Sequence, residues 1–109
     1  MAESTLTVQQ IILAGTVITT EAANVDGNYF LNDGRTWLRV INGSAASIDV
    51  TINSQVLCDQ GFDHDQVIEV AAGVTKEIGS FETKRFNLNG YVHVTYSAVT
   101  TVTVAVIKI

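Results

Sequence analysis

The sequence predicts an all-β domain, an antiparallel sandwich or small barrel, on three observations. Val, Ile and Thr supply 38 of the 109 residues, and such side chains lose rotamer freedom on helices but pack well on pleated sheets. From position 36 onward, apolar and polar residues alternate with a period of two, not 3.6. Turn signals separate the alternating runs at roughly 8–12-residue intervals, the spacing of a many-stranded sandwich. A chain of this length builds one core, so residues 1–109 form a single domain.

Taken in order, Leu6–Leu13 and Thr16–Thr20 read as short strands around Ala14-Gly15, so 1–20 are N-terminal strands or an arm. Residues 21–35 read as a long polar loop with turn signals at Asp26-Gly27 and Asp33-Gly34 and an apolar island, Tyr29-Phe30-Leu31. In Thr36–Ile41, Leu38 and Val40 share one face, and Trp37, Arg39 and Ile41 the other. Ile48, Val50 and Ile52 alternate with Asp49 and Thr51. The intervening Asn42-Gly43 favours the positive φ values of a tight hairpin. Residues 53–66 are a second long loop. Val67–Val70 and Val74–Ile78 flank Ala71-Ala72-Gly73 as another hairpin, with Gly73 left-handed. Tyr91–Tyr96 and Thr100–Lys108 form a third around Ser97-Ala98-Val99. The last strand is apolar on both faces toward its end, so it is either central in the sheet or covered by another subunit. With no proline in the chain, edge strands need bulges, charges or partners for protection.

The composition narrows the function. The net charge is −5 and Lys84-Arg85 is the only basic pair, which argues against nucleic-acid binding, a process driven by phosphate neutralisation. No apolar run reaches the roughly 18–20 residues needed to span a bilayer. The N-terminus lacks a basic signal-peptide region, and one cysteine suits a reducing compartment, so synthesis in a cytoplasm is expected.

The segment Cys58-Asp59-Gln60-Gly61-Phe62-Asp63-His64-Asp65-Gln66 concentrates ligand-type side chains. Counted from Asp59, a calcium loop would need an acid at Gly61 and a glycine at His64, so that pattern fails. Zinc would need paired ligands, and only one cysteine exists. A Cys58 dyad with His64 or His93 lacks any nucleophile-elbow motif or base orienter. The segment therefore reads as a solvated connector, and no enzyme, metal or cofactor is expected. Partner contact is expected at aromatics set among small and acidic loop residues: Tyr29, Phe30, Phe62, Asp63, His64 and Asp65. Trp37 reads equally as core or as interface anchor.

The strings NDGRTWLRVINGS, CDQGFDHDQ, AAGVTKEIGSF and GYVHVTYSAVT, in that order, resemble the small capsid decoration, or cement, proteins of tailed bacteriophages. The resemblance covers residues 27–109. It implies a jelly-roll-like β-sandwich that binds the major capsid protein on the outer surface of the virion as a dimer or trimer, clamping capsomers against internal DNA pressure. Such a protein would be made in the host bacterial cytoplasm. It supplies no catalytic residues. Within this reading the final strand, Val102–Ile109, is a candidate subunit seam, and an exposed edge strand a candidate site for a capsid-protein arm. The alternative is a receptor- or carbohydrate-binding β-sandwich module of a virion, using Tyr29, Asn32, Asp33 and Arg35.

Overall fold

The structure, a computed structural model, describes residues 3–54, 65–79 and 81–109. Among these described residues, ten strands and one helical turn follow in order: β1 (Ser4–Thr5), β2 (Val8–Gln10), β3 (Glu21–Ala22), β4 (Asn28–Leu31), β5 (Thr36–Asn42), β6 (Ile48–Ile52), β7 (Gln66–Val70), β8 (Thr75–Gly79), α1 (Thr83–Phe86), β9 (Tyr91–Tyr96) and β10 (Val102–Lys108). They form two sheets, β1-β4-β9-β6-β7 and β2-β10-β5-β8, with β3 also paired to β10.

Strands β3 to β10 alone give the orders β4-β9-β6-β7 and β3-β10-β5-β8, every neighbouring pair antiparallel. This is the strand order of an eight-stranded jelly roll, two Greek keys facing each other. The antiparallel expectation fails only at the N-terminus. There β1 lies parallel to β4 and β2 parallel to β10, which makes both sheets mixed. The expected strands over Leu6–Leu13 and Thr16–Thr20 shrink to β1 and β2, and residues 11–20 contain no strand. Likewise, the expected loop 21–35 holds β3 and β4.

The core follows from alternation. Leu38, Val40, Val50, Ile52, Val92, Val94, Val104 and Val106 are fully buried between the sheets. Phe30, Phe81 and Phe86 close one end, with ring centroids 5.6 and 6.0 Å apart along the series. Strand β10 is central, between β5 on one side and β2 and β3 on the other, and even its outward Ala105 and Ile107 are buried. Its two-faced apolarity therefore comes from position within one chain. Within the candidate seam Val102–Ile109, Val102 and Val104–Ile107 are buried inside this chain, while Thr103 and Lys108 are half-buried and Ile109 is exposed.

The strands match their expected positions, but none of the three expected hairpins forms. Each of the β5–β6, β7–β8 and β9–β10 connections crosses from one sheet to the other. At the first, the fully buried Asn42 amide nitrogen donates to the carbonyls of Ala46 (2.9 Å), Val70 (3.0 Å) and Ala71 (3.3 Å). Its Oδ1 accepts from Ser44 N–H and Oγ–H. These bonds pin the end of β5 to the neighbouring crossing and turn the chain between sheets. The positive-φ Asn-Gly turn sits instead at Asn89-Gly90 (φ 55° and 90°), bridging Leu88 and Tyr91.

At the third crossing Thr101 has φ 54°, a strained value for a β-branched residue. Its carbonyl accepts Gly43 N–H at 2.9 Å. Thr101→Gly relieves the strain against glycine's entropy cost, and is expected to stabilise the fold by up to about 1 kcal/mol in urea unfolding. A loss instead would mean that the threonine side chain contributes more than its backbone strain costs.

Buried Asn28 joins the N-terminal strands to the body. Its Nδ2 donates to Ser4 O, and its Oδ1 accepts from Asn24 N–H and from Tyr96 Oη at 2.8 Å. Burial, with the charge of Glu21 adding, pushes the Tyr96 phenol well above its ordinary value. The folded state thus keeps a proton that the unfolded state releases above about pH 10, so this contribution to stability is full below that pH and falls as pH rises through it. Tyr96→Phe is expected to flatten the alkaline loss of stability measured by urea unfolding between pH 9 and 11. An unchanged slope would contradict that assignment.

Candidate partner interface

Alternation along β4 sends Phe30 inward and Tyr29 and Leu31 outward. Tyr29 stacks on its cross-strand partner His93 (5.4 Å, 22°) and meets Tyr91 edge-on (5.4 Å, 78°). Glu3, just before β1, places its carboxylate 3.1 Å from His93 Nδ1. Leu31, paired in register with Tyr91, is 56% exposed. The outer face of the first sheet thus carries an aromatic platform with an apolar neighbour, buttressed by the N-terminal segment.

The outer face of the second sheet carries another group. Trp37 and Arg39 project from β5 toward Glu77 of β8. Trp37 Nε1–H donates to Glu77 Oε1 at 2.9 Å and Arg39 Nε–H to Oε2 at 2.8 Å. Both carboxylate oxygens are engaged, so the indole and guanidinium are held in fixed relation beside an open recess of about 430 Å³. Gly79 makes room for the tryptophan: a Cβ there would lie 2.9 Å from Trp37 Cβ. Trp37 is therefore a half-buried surface residue and not core. Because it is the only tryptophan, its emission reports this site. Glu77→Ala is expected to shift that emission while costing no more than about 1 kcal/mol, the scale of exposed charged contacts. Unshifted emission would mean that the bond does not fix the indole.

The other expected contact residues divide. Phe30 is fully buried against Phe81, a core side chain and not a surface anchor. Exposed Asp65 accepts Ser54 N–H at 2.8 Å, closing the base of the connector between β6 and β7. Phe62, Asp63 and His64, like Cys58, lie outside the described residues. Among the described residues, no group of three or more His, Cys, Asp or Glu side chains gathers in metal-binding range.

The four residues of the sugar-site alternative do not converge as free groups. The buried Asn32 amide donates to Phe81 O and Asn87 Oδ1, while its oxygen accepts Gly34 N–H. Asp33 pairs with Lys108 at 3.0 Å. That bond, with the Arg35 N–H, holds its carboxyl below the ordinary value. The sequence does not mark Arg39, Glu77 or Tyr91 as contact residues, and it favours His93 as an outward polar residue over a subunit contact. The signal for them was the shared faces of Trp37 with Arg39 and of His93 within β9, which become informative only once strand neighbours are known. Comparisons with family models, with curated proteins and with solved structures return no match.

Proposed function

We propose that this chain is a structural virion protein that binds the outer surface of a tailed-phage capsid and cements neighbouring capsomers, acting as a dimer or trimer on the major capsid protein. The observation that carries the reading is the aromatic outer face of the first sheet. The string GYVHVTYSAVT, one of those behind the resemblance, supplies Tyr91 and His93 to it, and Tyr29 completes it. Aromatic anchors beside an exposed aliphatic side chain form the kind of patch that protein partners bury. The jelly roll suits a rigid clamp but also hosts lectins, so the fold does not separate the two readings. The site does favour cement, because Asn32 and Asp33 serve the protein's own structure.

Cementing works through multivalency. Each contact is modest, but one oligomer touching several capsomers raises the effective concentration of every further contact. An oligomer on a symmetry axis presents identical patches to identical capsid patches. The open edges β7 and β8 are tied by Lys76 Nζ, which donates to Glu69 O at 2.9 Å. This charged cross-link blunts edge pairing and shifts weight from strand addition to side-chain contact. Saturable binding to shells lacking the protein, with no hits on a glycan array, is the expected result. Glycan hits without shell binding would replace this reading with the lectin one.

A further inference from the structure

Residues 11–17, Ile-Ile-Leu-Ala-Gly-Thr-Val, lie outside the stretch that carries the resemblance, and no charged residue occurs between Glu3 and Glu21. The loop presents Ile11 (43% exposed), Ile12 (55%), Leu13 (107%) and Val17 (88%) to solvent. Single exposed apolar residues are ordinary, but four within seven positions of one loop are a patch.

Polar bonds, not burial, shape this patch. The Gln9 side chain brackets Thr19, accepting its N–H and donating to its carbonyl, both at 2.8 Å. Thr16 Oγ1 donates to Gln10 O at 2.9 Å and accepts Ile12 N–H at 3.1 Å. Gly15 N–H closes the turn on Ile12 O, and Ile11 N–H is anchored to Lys108 O at the end of β10. Much of the ordering cost of a binding loop is therefore met in the free protein.

We infer that this loop is an anchor that inserts into an uncharged, apolar cleft on the shell protein. The inference rests on the proposed cement function and names the element that carries it. Area and charge select the occupant. The four side chains expose on the order of 500 Å² in all, short of the about 800 Å² per partner of a standard stable interface. A knob-to-knob dimer of two chains of net charge −5 is thus too small and is opposed by repulsion. An anionic lipid surface would repel the same charge, and the loop has no flanking Lys or Arg in sequence to offset it. A repeated shell lattice tolerates a small footprint, because avidity multiplies it. Exposed Glu21, next to the loop's base, calls for Lys or Arg on the rim of the cleft.

The test is co-sedimentation with purified shells lacking this protein. Leu13→Ser/Val17→Ser alters only exposed side chains, so its melting temperature should match wild type, and its shell affinity should fall at least about 10-fold. Leu13→Met, which keeps the apolar area, should bind within about 3-fold of wild type. Equal binding by wild type and the double variant overturns the inference and leaves the cement reading standing. Wild type that binds no shell overturns both. Two further results would also overturn it: partition of wild type but not the variant into phosphatidylcholine vesicles, or a lower light-scattering mass for the variant with shell affinity unchanged.

Discussion

Replacing Gly27 by alanine is expected to destabilise the protein by about 3–4 kcal/mol, while the same change at Gly15 costs only about 1–2 kcal/mol. The two glycines share a backbone conformation, φ 101° and 102°, that L-residues rarely adopt. They differ in surroundings. A Cβ at Gly27 would lie 2.7 Å from the Val94 carbonyl oxygen and 3.2 Å from Thr95 Cγ2, whereas at Gly15 nothing lies within 4 Å. Val94 belongs to β9, the strand against which β4 pairs, so the clash meets backbone that cannot rotate away. Subtracting the two losses in urea unfolding isolates the steric contribution from the backbone contribution. Equal losses would mean that β9 is not held against the Asp26-Gly27 turn as described.

The second large effect is expected at Asn42, where alanine should cost about 3 kcal/mol and lower Tm by more than about 10 °C. The side chain is fully buried and engages three carbonyls, Ser44 N–H and the Ser44 hydroxyl. Removing it costs the buried bond to the Val70 carbonyl and four partly buried ones; an unsatisfied buried group is worth roughly 1–3 kcal/mol and an ordinary hydrogen bond roughly 0.5–1.5 kcal/mol. Asn42→Asp should be no milder, because it keeps the acceptor but loses the donors that reach Val70 and Ala71. Equilibrium unfolding of both variants checks this. A loss below about 1 kcal/mol would show that the crossings between sheets hold without the asparagine.

These two residues also show what was legible in the sequence. Alternation identified the strands β5 to β10 nearly residue by residue, and it grouped Leu38 with Val40 on the face that is buried. Pairing was another matter. A strand that crosses to the facing sheet keeps the same inward face toward the same core, so its pattern is identical to that of a hairpin. Asn42-Gly43 and Asn89-Gly90 are the same dipeptide. Only the second uses positive φ at both residues, because at the first the asparagine side chain is captured by carbonyls from the β7–β8 crossing. Nothing local announces that capture.

The candidate site was legible in the same uneven way. Tyr29 and Phe30 both looked like loop aromatics. Once β4 is a strand, adjacent positions face opposite ways, so Tyr29 joins His93 outside and Phe30 joins Phe81 inside. The short length of β4 hid it among turn residues. The two-faced apolarity of β10 fits a central strand or one covered by another subunit, and only its neighbours β5, β2 and β3 show that it is central. At the N-terminus, apolar residues 11–13 suggested a strand. The hydrogen bonds of Gln9 and Thr16 hold them in an exposed loop instead.

In the function proposed above, this jelly roll works by binding a shell in many copies. The decisive experiment is a titration of the protein onto undecorated shells, following both bound protein and shell melting. Saturation at a fixed stoichiometric ratio, with a rise in shell melting temperature that tracks occupancy, is the predicted result. Binding that never saturates, or saturates without stabilising the shell, would contradict it.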